Sequence, residues 1–325
     1  MEKFISRNID SVISSKHNDD IELILVNDGS KDSTLEICKQ YKERYPNVIR
    51  IIDKPNGHYG SCINAALKIA MGKYFRILDA DDWFDTDALN AFITRLHTSD
   101  ADLVVTLRCE VSEKEDGQYD YRYIPMSRIR YNEVYDAKSL RMNECASYLV
   151  FNMHSMTYKT SILRKAGLQL PEGVCYTDMI YNLTPIDRIS TIVVYDIYLY
   201  HYLMGRIGSS TTGESIRRNF SHITTVLTHM LSHMSDHLSD NDTVRANQTL
   251  FVDEATGIFF DSIKHQGFCK KGEYEKIRFI VDKWKALGIK NRAFNKYYFK
   301  YWIKYNTLLT FNLSRLIYKV THPFK

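Results

Sequence analysis

The fold is decided by the stretch at residues 22–30, which reads Glu-Leu-Ile-Leu-Val-Asn-Asp-Gly-Ser. A short, mostly apolar run that ends in Asp28, Gly29 and Ser30 predicts a buried strand that meets a turn. Ser33 and Glu36 have the spacing of a capping box, which predicts the start of a helix directly after the turn. The stretch therefore predicts a strand, a loop and a helix, with Asp28 at the carboxyl end of the strand.

The same alternation of strand and helix continues to residue 106. Further strands are predicted at 48–52, 74–78 and 103–106, and helices at 61–71, with Gly72 as the stop, and at 87–97. This order predicts an α/β fold with a largely parallel sheet that is covered on both faces by helices. Such sheets bind ligands at the carboxyl ends of their strands, where Asp28 and Asp79 both lie.

Three carboxylates stand within four residues at the end of the strand 74–78, at Asp79, Asp81 and Asp82. They repel one another unless a cation neutralises them. Because alternate residues of an extended segment point the same way, we expect Asp79 and Asp81 to face one ion and Asp82 to turn into the fold. Oxygen ligands on a tight turn suit Mg²⁺ or Mn²⁺. The alternative is a solvated acidic turn that caps the next helix.

The segments 24–34, 56–65 and 77–83 together resemble the family 2 glycosyltransferases, inverting enzymes with the GT-A nucleotide-sugar fold. The resemblance implies a Rossmann-like GT-A domain at residues 1–210, with a nucleotide-sugar half at 1–105 and an acceptor half at 106–210. A helical region at 211–325 follows it, and its histidines 222, 229, 233 and 237 lie on one helical stripe. That stripe favours the polar face of a packed helix over a second metal site.

The resemblance also implies roles for individual residues. The expected nucleotide-sugar contacts are Asp28, Gly29, Ser30, Lys54, Gly57, Asp79 and Arg206, and the expected ligands of Mn²⁺ or Mg²⁺ are Asp79, Asp81 and His201. Asp178 matches the second acid of the family's catalytic Glu-Asp pair, with Thr177 in place of the Glu. The alternative for Asp178 is a helix N-cap, and the alternative for His201 is a buried strand residue. His154 is a similar candidate.

These residues predict a metal-dependent inverting transferase that moves a sugar from a nucleoside-diphosphate donor, a UDP-sugar, to a glycan or a lipid-linked glycan. The alternative is a non-catalytic GT-A remnant that binds nucleotide-sugar or acts as an assembly partner. A nucleotidyltransferase also uses a parallel sheet and acidic metal ligands, but it leaves the Tyr-Thr-Asp segment at 176–178 and the Gly-Arg segment at 205–206 unexplained.

The start of the chain departs from the family pattern. Family members open with an apolar strand in the middle of the nucleotide-binding sheet, whereas Met1 begins inside the helix that follows it, with an apolar face of Phe4, Ile5, Ile9, Val12 and Ile13. We expect unpaired backbone groups beside the strand at 21–27, at a cost of about 1–3 kcal/mol for each buried group. A truncated reading frame and a degenerate, inactive transferase are the two explanations.

The net charge of +4 hides an uneven distribution. The last acidic residue is Asp282, and the ten basic residues after it give residues 283–325 a charge of +10, against −6 for the rest. A basic amphipathic helix in this tail predicts binding to an anionic membrane, with a docked helix as the alternative and nucleic acid disfavoured by the acidic body. Six scattered cysteines and the lack of a signal sequence or spanning segment predict a cytoplasmic protein.

Overall fold

The computed structural model describes residues 1–145, 151–205, 218–265 and 270–288, together with residues 215 and 312. Arg206 and most of the basic tail at 283–325 lie outside the described residues.

The helices among the described residues are α1 (Ile5–Ile13), α2 (Thr34–Arg44), α3 (His58–Ile69), α4 (Thr86–Thr98), α5 (Met142–Cys145), α6 (Thr160–Lys165), α7 (Asp178–Leu183), α8 (Phe220–His237), α9 (Asp242–His265) and α10 (Lys271–Ala286). The strands are β1 (Leu23–Asp28), β2 (Ile49–Lys54), β3 (Tyr74–Arg76), β4 (Trp83–Phe84), β5 (Leu103–Glu113), β6 (Tyr119–Ile124), β7 (Val134–Asp136), β8 (Met156–Lys159) and β9 (Thr191–Met204). Short 3₁₀ turns occupy Asn18–Asp20 and Ile186–Arg188.

The predicted α/β architecture with a helical C-terminal region is confirmed, but the strand pairing is mixed. β1 and β2 pair in parallel, and so do β5 and β9, whereas β8 runs antiparallel to β3 and to β5. The larger sheet has the order β3-β8-β5-β9-β4, with β6 on β5 and β7 on β9. The antiparallel strands come mainly from residues 119–159, beyond the predicted alternation of strand and helix that ends at residue 106, so the prediction overestimates the parallel share.

Helices cover the sheet through the apolar faces that the sequence predicts. Ile5, Ile9 and Ile13 of α1 are buried in a cluster with residues of β1, α2 and β2. The C-terminal helix α9 packs against the segment at residues 140–142. Its Asn247 side chain accepts a hydrogen bond from the Met142 amide and donates one to the Leu140 carbonyl. None of the helices in the described ranges is long and apolar enough to cross a membrane.

Two local features differ from the prediction. The Ser33 side chain caps nothing at the start of α2, and the Asp32 carboxylate instead accepts a hydrogen bond from the Thr34 amide. The third helix, α3, ends at Ile69 rather than beside Gly72, because Ala70 already has an extended backbone. At the start of α2, Asp32 rather than Ser33 accepts a hydrogen bond from a helix amide. At the end of α3, the helix stops at Ala70 rather than at Gly72.

The described strands form two separate sheets, and the division between them lies between β1 and β3. Within the described ranges β1 pairs with β2 alone and β3 pairs with β8 alone, so each strand has one edge without a strand partner. Every residue of both strands lines a cavity of about 870 Å³, together with apolar side chains of α1 and α4. The expected unpaired edge beside β1 is therefore confirmed.

Candidate active site

Two loops meet at the carboxyl ends of β1 and β2. The parallel register pairs Asp28 with Lys54, so both side chains lie at the same edge of the sheet. Asp28 Oδ1 accepts hydrogen bonds from Lys54 Nζ and, at 2.9 Å, from the Gly57 amide. Gly29 has a φ of 71°, and a Cβ at this position would lie 3.0 Å from the Asn56 nitrogen, so the approach of the two loops requires a residue without a side chain.

The electrostatics of this edge suit a polar ligand. Burial acts to raise the pKa of Asp28, but the Lys54 ammonium and the amides of Gly57 and His58 outweigh it and hold that pKa below its ordinary value. The carboxylate is therefore ionised and directed at the start of α3, where backbone amides face the loop. The structure brings together four of the predicted donor residues, Asp28, Gly29, Lys54 and Gly57, and Ser30 lies in the same turn, its amide 3.3 Å from Asn27 Oδ1.

The acidic turn after β3 is held in place by helix α1. Asn8 Nδ2 donates hydrogen bonds to the carbonyl oxygens of Asp79, at 2.8 Å, and Asp82, at 2.9 Å. An Arg7 guanidinium nitrogen lies 3.2 Å from the Asp81 carbonyl oxygen. Because the backbone oxygens are bound to α1, the positions from which the three carboxylates project are fixed.

Asp82 turns into the fold, as predicted. Its side chain is buried, accepting a hydrogen bond from the Tyr200 hydroxyl at 2.6 Å and another from the Leu203 amide at 2.7 Å. Burial, followed by the charge of Asp79, raises the pKa of Asp82 well above its ordinary value. Tyr200 also accepts a hydrogen bond from the Asp79 amide at 3.1 Å, so one hydroxyl organises two of the three acids.

Replacing that hydroxyl is expected to destabilise the protein. In Tyr200→Phe the buried Asp82 oxygen and the Asp79 amide each lose a partner, which costs about 1–3 kcal/mol of unfolding free energy for each group that stays buried. Urea denaturation measures the change. Tyr195→Phe, a buried tyrosine on the same strand that lies against Phe92, is the matched control, and equal effects of the two changes would contradict the role of the Tyr200 hydroxyl.

His154 joins the acidic turn. Its Nε2 lies 3.8 Å from Asp79 Oδ2, and oxygens of Asp79 and Asp82 and a ring nitrogen of His154 all lie within 4.8 Å of one another. The Asp82 oxygens are already bound by Tyr200 and Leu203, which leaves Asp79 and His154 as the available ligands of this group. A carboxylate oxygen and one imidazole nitrogen at this turn are compatible with a divalent ion. Asp81 is close to these residues in the sequence, but it does not belong to the group of clustered ligand atoms.

The structure does not bring His201 to the acidic turn. Side chains alternate along β9, and Tyr200 and Tyr202 contact His154 on one face, so His201 points to the other. Its ring lies 5.3 Å from the Trp83 ring and 5.6 Å from the Tyr121 ring, between centroids. Burial lowers the pKa of His201 and favours the neutral form. His154 occupies the place beside Asp79 that the sequence suggested for His201.

Asp178 is the first residue of α7, and Thr177 occupies the N-cap position. Burial raises the pKa of Asp178, the charge of His154 lowers it, and the charge of Asp79 raises it. Asp178 is therefore close enough to the Asp79–His154 pair for their charges to affect its ionisation. A hydrogen bond of 2.8 Å from the Gly173 amide to the Gly57 carbonyl connects the loop before Asp178 to the loop between β2 and α3.

Tyr59 is the residue that sequence reasoning passed over. Burial raises its pKa well above the ordinary value, and the charges of Asp79 and Asp178 add to that effect, so the phenol stays protonated; its hydroxyl donates a hydrogen bond to Met153 Sδ at 2.6 Å. Asn8 and Arg7 were missed as well. Each acts on residues more than 70 positions away along the chain, and no local pattern signals such a contact.

Comparison with known proteins identifies this arrangement. A family model described as glycosyl transferase family 2 matches residues 2–157. The poly(ribitol-phosphate) beta-glucosyltransferase of Bacillus spizizenii is 28% identical over 211 residues, which cover 64% of this chain and 31% of that protein. The uncharacterized glycosyltransferase YibD of Escherichia coli is 26% identical over 214 residues, covering 64% of this chain and 61% of that one. The chain thus spans less than two thirds of the length of these curated relatives.

The fold has a counterpart among solved structures. The crystal structure of S. aureus TarS 1-349 in complex with UDP-GlcNAc superposes with a TM-score of 0.61 at 20% identity, covering 88% of this chain and 78% of that chain. That likeness extends over the GT-A domain and into the C-terminal helices. The segment 2–157, which carries β1, the loops after β1 and β2 and the acidic turn, is therefore a glycosyl transferase family 2 domain.

Proposed function

We propose that the protein is a metal-dependent inverting glycosyltransferase that moves a sugar from a UDP-sugar to a glycan or lipid-linked glycan. The observation that carries the proposal is the pairing of Asp79 with His154, whose charges both affect the ionisation of Asp178. The UDP-GlcNAc bound to TarS supports a uridine donor, and the name of the Bacillus spizizenii relative supports an anionic polymer as the acceptor.

Each residue of the site has a place in this chemistry. Asp28, Lys54 and the Gly57 amide bind the nucleoside, and Asp79 and His154 would hold the divalent ion, with Asp81 beside them. When bound, the ion stabilises the charge that develops on the diphosphate leaving group. Asp178 accepts the proton of the acceptor hydroxyl, and its raised pKa makes it a stronger base than an ordinary aspartate. One displacement at the anomeric carbon inverts its configuration.

A screen of UDP-sugars with Mn²⁺ tests this function. We expect UDP release with one or a few donors, dependence on the metal, and loss of release in EDTA. Thermal stabilisation by the same donors is measured in parallel, because the ligand binds only the folded protein. Release that is equal with all donors or insensitive to EDTA would contradict the proposal.

The second candidate is a remnant that binds nucleotide-sugar without transferring it, and Thr177 at the position of the expected catalytic Glu supports it. Stabilisation by a donor without UDP release, in the presence of Mn²⁺ and a range of acceptors, is the result expected for the remnant.

We also propose that the basic tail at 283–325 holds the protein on the cytoplasmic face of an anionic membrane. Ten basic residues without an acidic one support this proposal, at about 1 kcal/mol for each residue near the surface. The full chain is expected to float with liposomes that contain phosphatidylglycerol, and a chain ending at residue 282 to stay at the bottom of the gradient. Equal flotation of the two chains would show that the tail does not contribute to membrane binding.

A further inference from the structure

Two imidazoles and one carboxylate converge at the surface where the chain enters β1, away from the proposed active site. His17 precedes the 3₁₀ turn that contains Asp20, and His97 lies in the last turn of α4. Asp20 Oδ2 is 3.6 Å from His17 Nδ1 and 3.1 Å from His97 Nε2. One ligand atom from each residue lies within 4.8 Å of the other two.

A chain of hydrogen bonds fixes the tautomer of His17. The Thr94 hydroxyl donates to the Asn90 carbonyl at 2.9 Å, and Thr94 Oγ1 is 3.1 Å from His17 Nε2. Because the hydroxyl has one proton and that proton is used, its oxygen accepts the hydrogen of His17 Nε2. In the neutral ring the lone pair is then on Nδ1, which faces the Asp20 carboxylate. A lone pair opposite an anionic oxygen is repulsive, and either a proton on Nδ1 or a metal cation between the two atoms removes that repulsion.

The backbone of this segment is also fixed. Asn90 Oδ1 accepts hydrogen bonds from Ser15 Oγ at 2.8 Å and from the Lys16 amide at 3.0 Å. The His17 amide donates in turn to Ser15 Oγ at 3.1 Å. α4 therefore supplies His97 and also positions the turn that carries the other two side chains.

We propose that His17, Asp20 and His97 bind a divalent transition-metal ion of the Zn²⁺ class. Zn²⁺ takes imidazole and carboxylate ligands at about 2.0–2.2 Å in tetrahedral geometry, which places neighbouring ligand atoms about 3.3 Å apart. The distances of 3.1 and 3.6 Å bracket that spacing. About half of the Asp20 and His97 side chains is exposed, so an ion has access and water can complete the coordination.

A bound ion would join the two parts of the sheet. Asp20 and His97 line the cavity between β1 and β3, near the start of β1. The ion would connect the segment entering β1 to α4, whose side chains pack on the larger sheet. The proposed ion is thus a structural one near the start of β1, between the two sheets, and it is separate from the ion proposed at Asp79.

Binding of Co²⁺ to the full chain tests the site, with Zn²⁺ as competitor after treatment with EDTA. We expect a visible absorption band of protein-bound Co²⁺ that Zn²⁺ removes. His97→Gln and Asp20→Asn should each weaken binding by more than about 100-fold, since loss of an outer-shell partner already costs about 10–100-fold. Thr94→Val removes such a partner and should weaken binding by about 10-fold.

One variant serves as the control. His229→Gln removes an exposed histidine of α8 and should retain the Co²⁺ band. Wild-type affinity in His97→Gln and Asp20→Asn would overturn the proposal, and so would loss of the band in His229→Gln. Because Asp20→Asn conserves shape at a half-exposed position, it keeps the test valid if His97→Gln fails to fold.

Discussion

Asp178→Asn is expected to lower kcat for sugar transfer by about 10²–10⁴-fold, the usual contribution of a general base. The amide has the shape of the carboxylate but cannot accept the proton of the acceptor hydroxyl. The KM for the donor should change little, because Asp178 acts on the acceptor side of the site. Initial rates of UDP release at saturating donor and acceptor measure the effect.

The matched control for that change is Asp196→Asn, which alters an exposed aspartate of β9 paired with Arg95. Its kcat should equal that of the unchanged protein. A kcat for Asp178→Asn within about twofold of wild type would show that Asp178 is not the general base, since the smallest effect expected of a base is about 100-fold.

The pH dependence of transfer follows from the environment of Asp178. Burial raises its pKa above the ordinary value of about 3.9, so kcat should fall as the pH drops through that raised pKa and the base becomes protonated. His154 lowers the pKa of Asp178. In His154→Gln this effect is absent, and the acid limb of the residual activity should move to higher pH; a shift to lower pH would contradict the arrangement.

Asp79→Ala is expected to remove Mn²⁺-dependent transfer. Loss of the metal's stabilisation of the leaving group, several kcal/mol, corresponds to about 10³-fold or more in kcat at about 1.4 kcal/mol for each factor of ten. Stabilisation of the protein by UDP in the presence of Mn²⁺ should be lost as well. UDP release and melting temperature measure the two effects.

Asp87→Ala is the control for Asp79→Ala, since Asp87 is an exposed acid in the first turn of α4, a few residues further along the chain. It should leave both measurements unchanged. Full Mn²⁺-dependent activity in Asp79→Ala would mean that the ion is held elsewhere.

Local sequence predicted the elements that carry the donor half of the site. β1, β2 and α4 begin and end within a few residues of the prediction, because apolar periodicity and turn residues act over short distances. The strand after residue 102 was predicted as four residues, whereas β5 extends to Glu113. Its second half is buried by β6 and β9, and that burial depends on partners far along the chain.

The sequence by itself determined that Asp28 and Asp79 stand at strand ends and that Asp82 turns inward, because chain direction and side-chain alternation decide these positions. Only the tertiary structure decided that His154 rather than His201 lies beside Asp79, and that the charges of Asp79 and Asp178 act on Tyr59. Those positions depend on which strands pair and which face of β9 meets the acidic turn. Such pairings are set by packing across the whole molecule, and no segment of the sequence contains them.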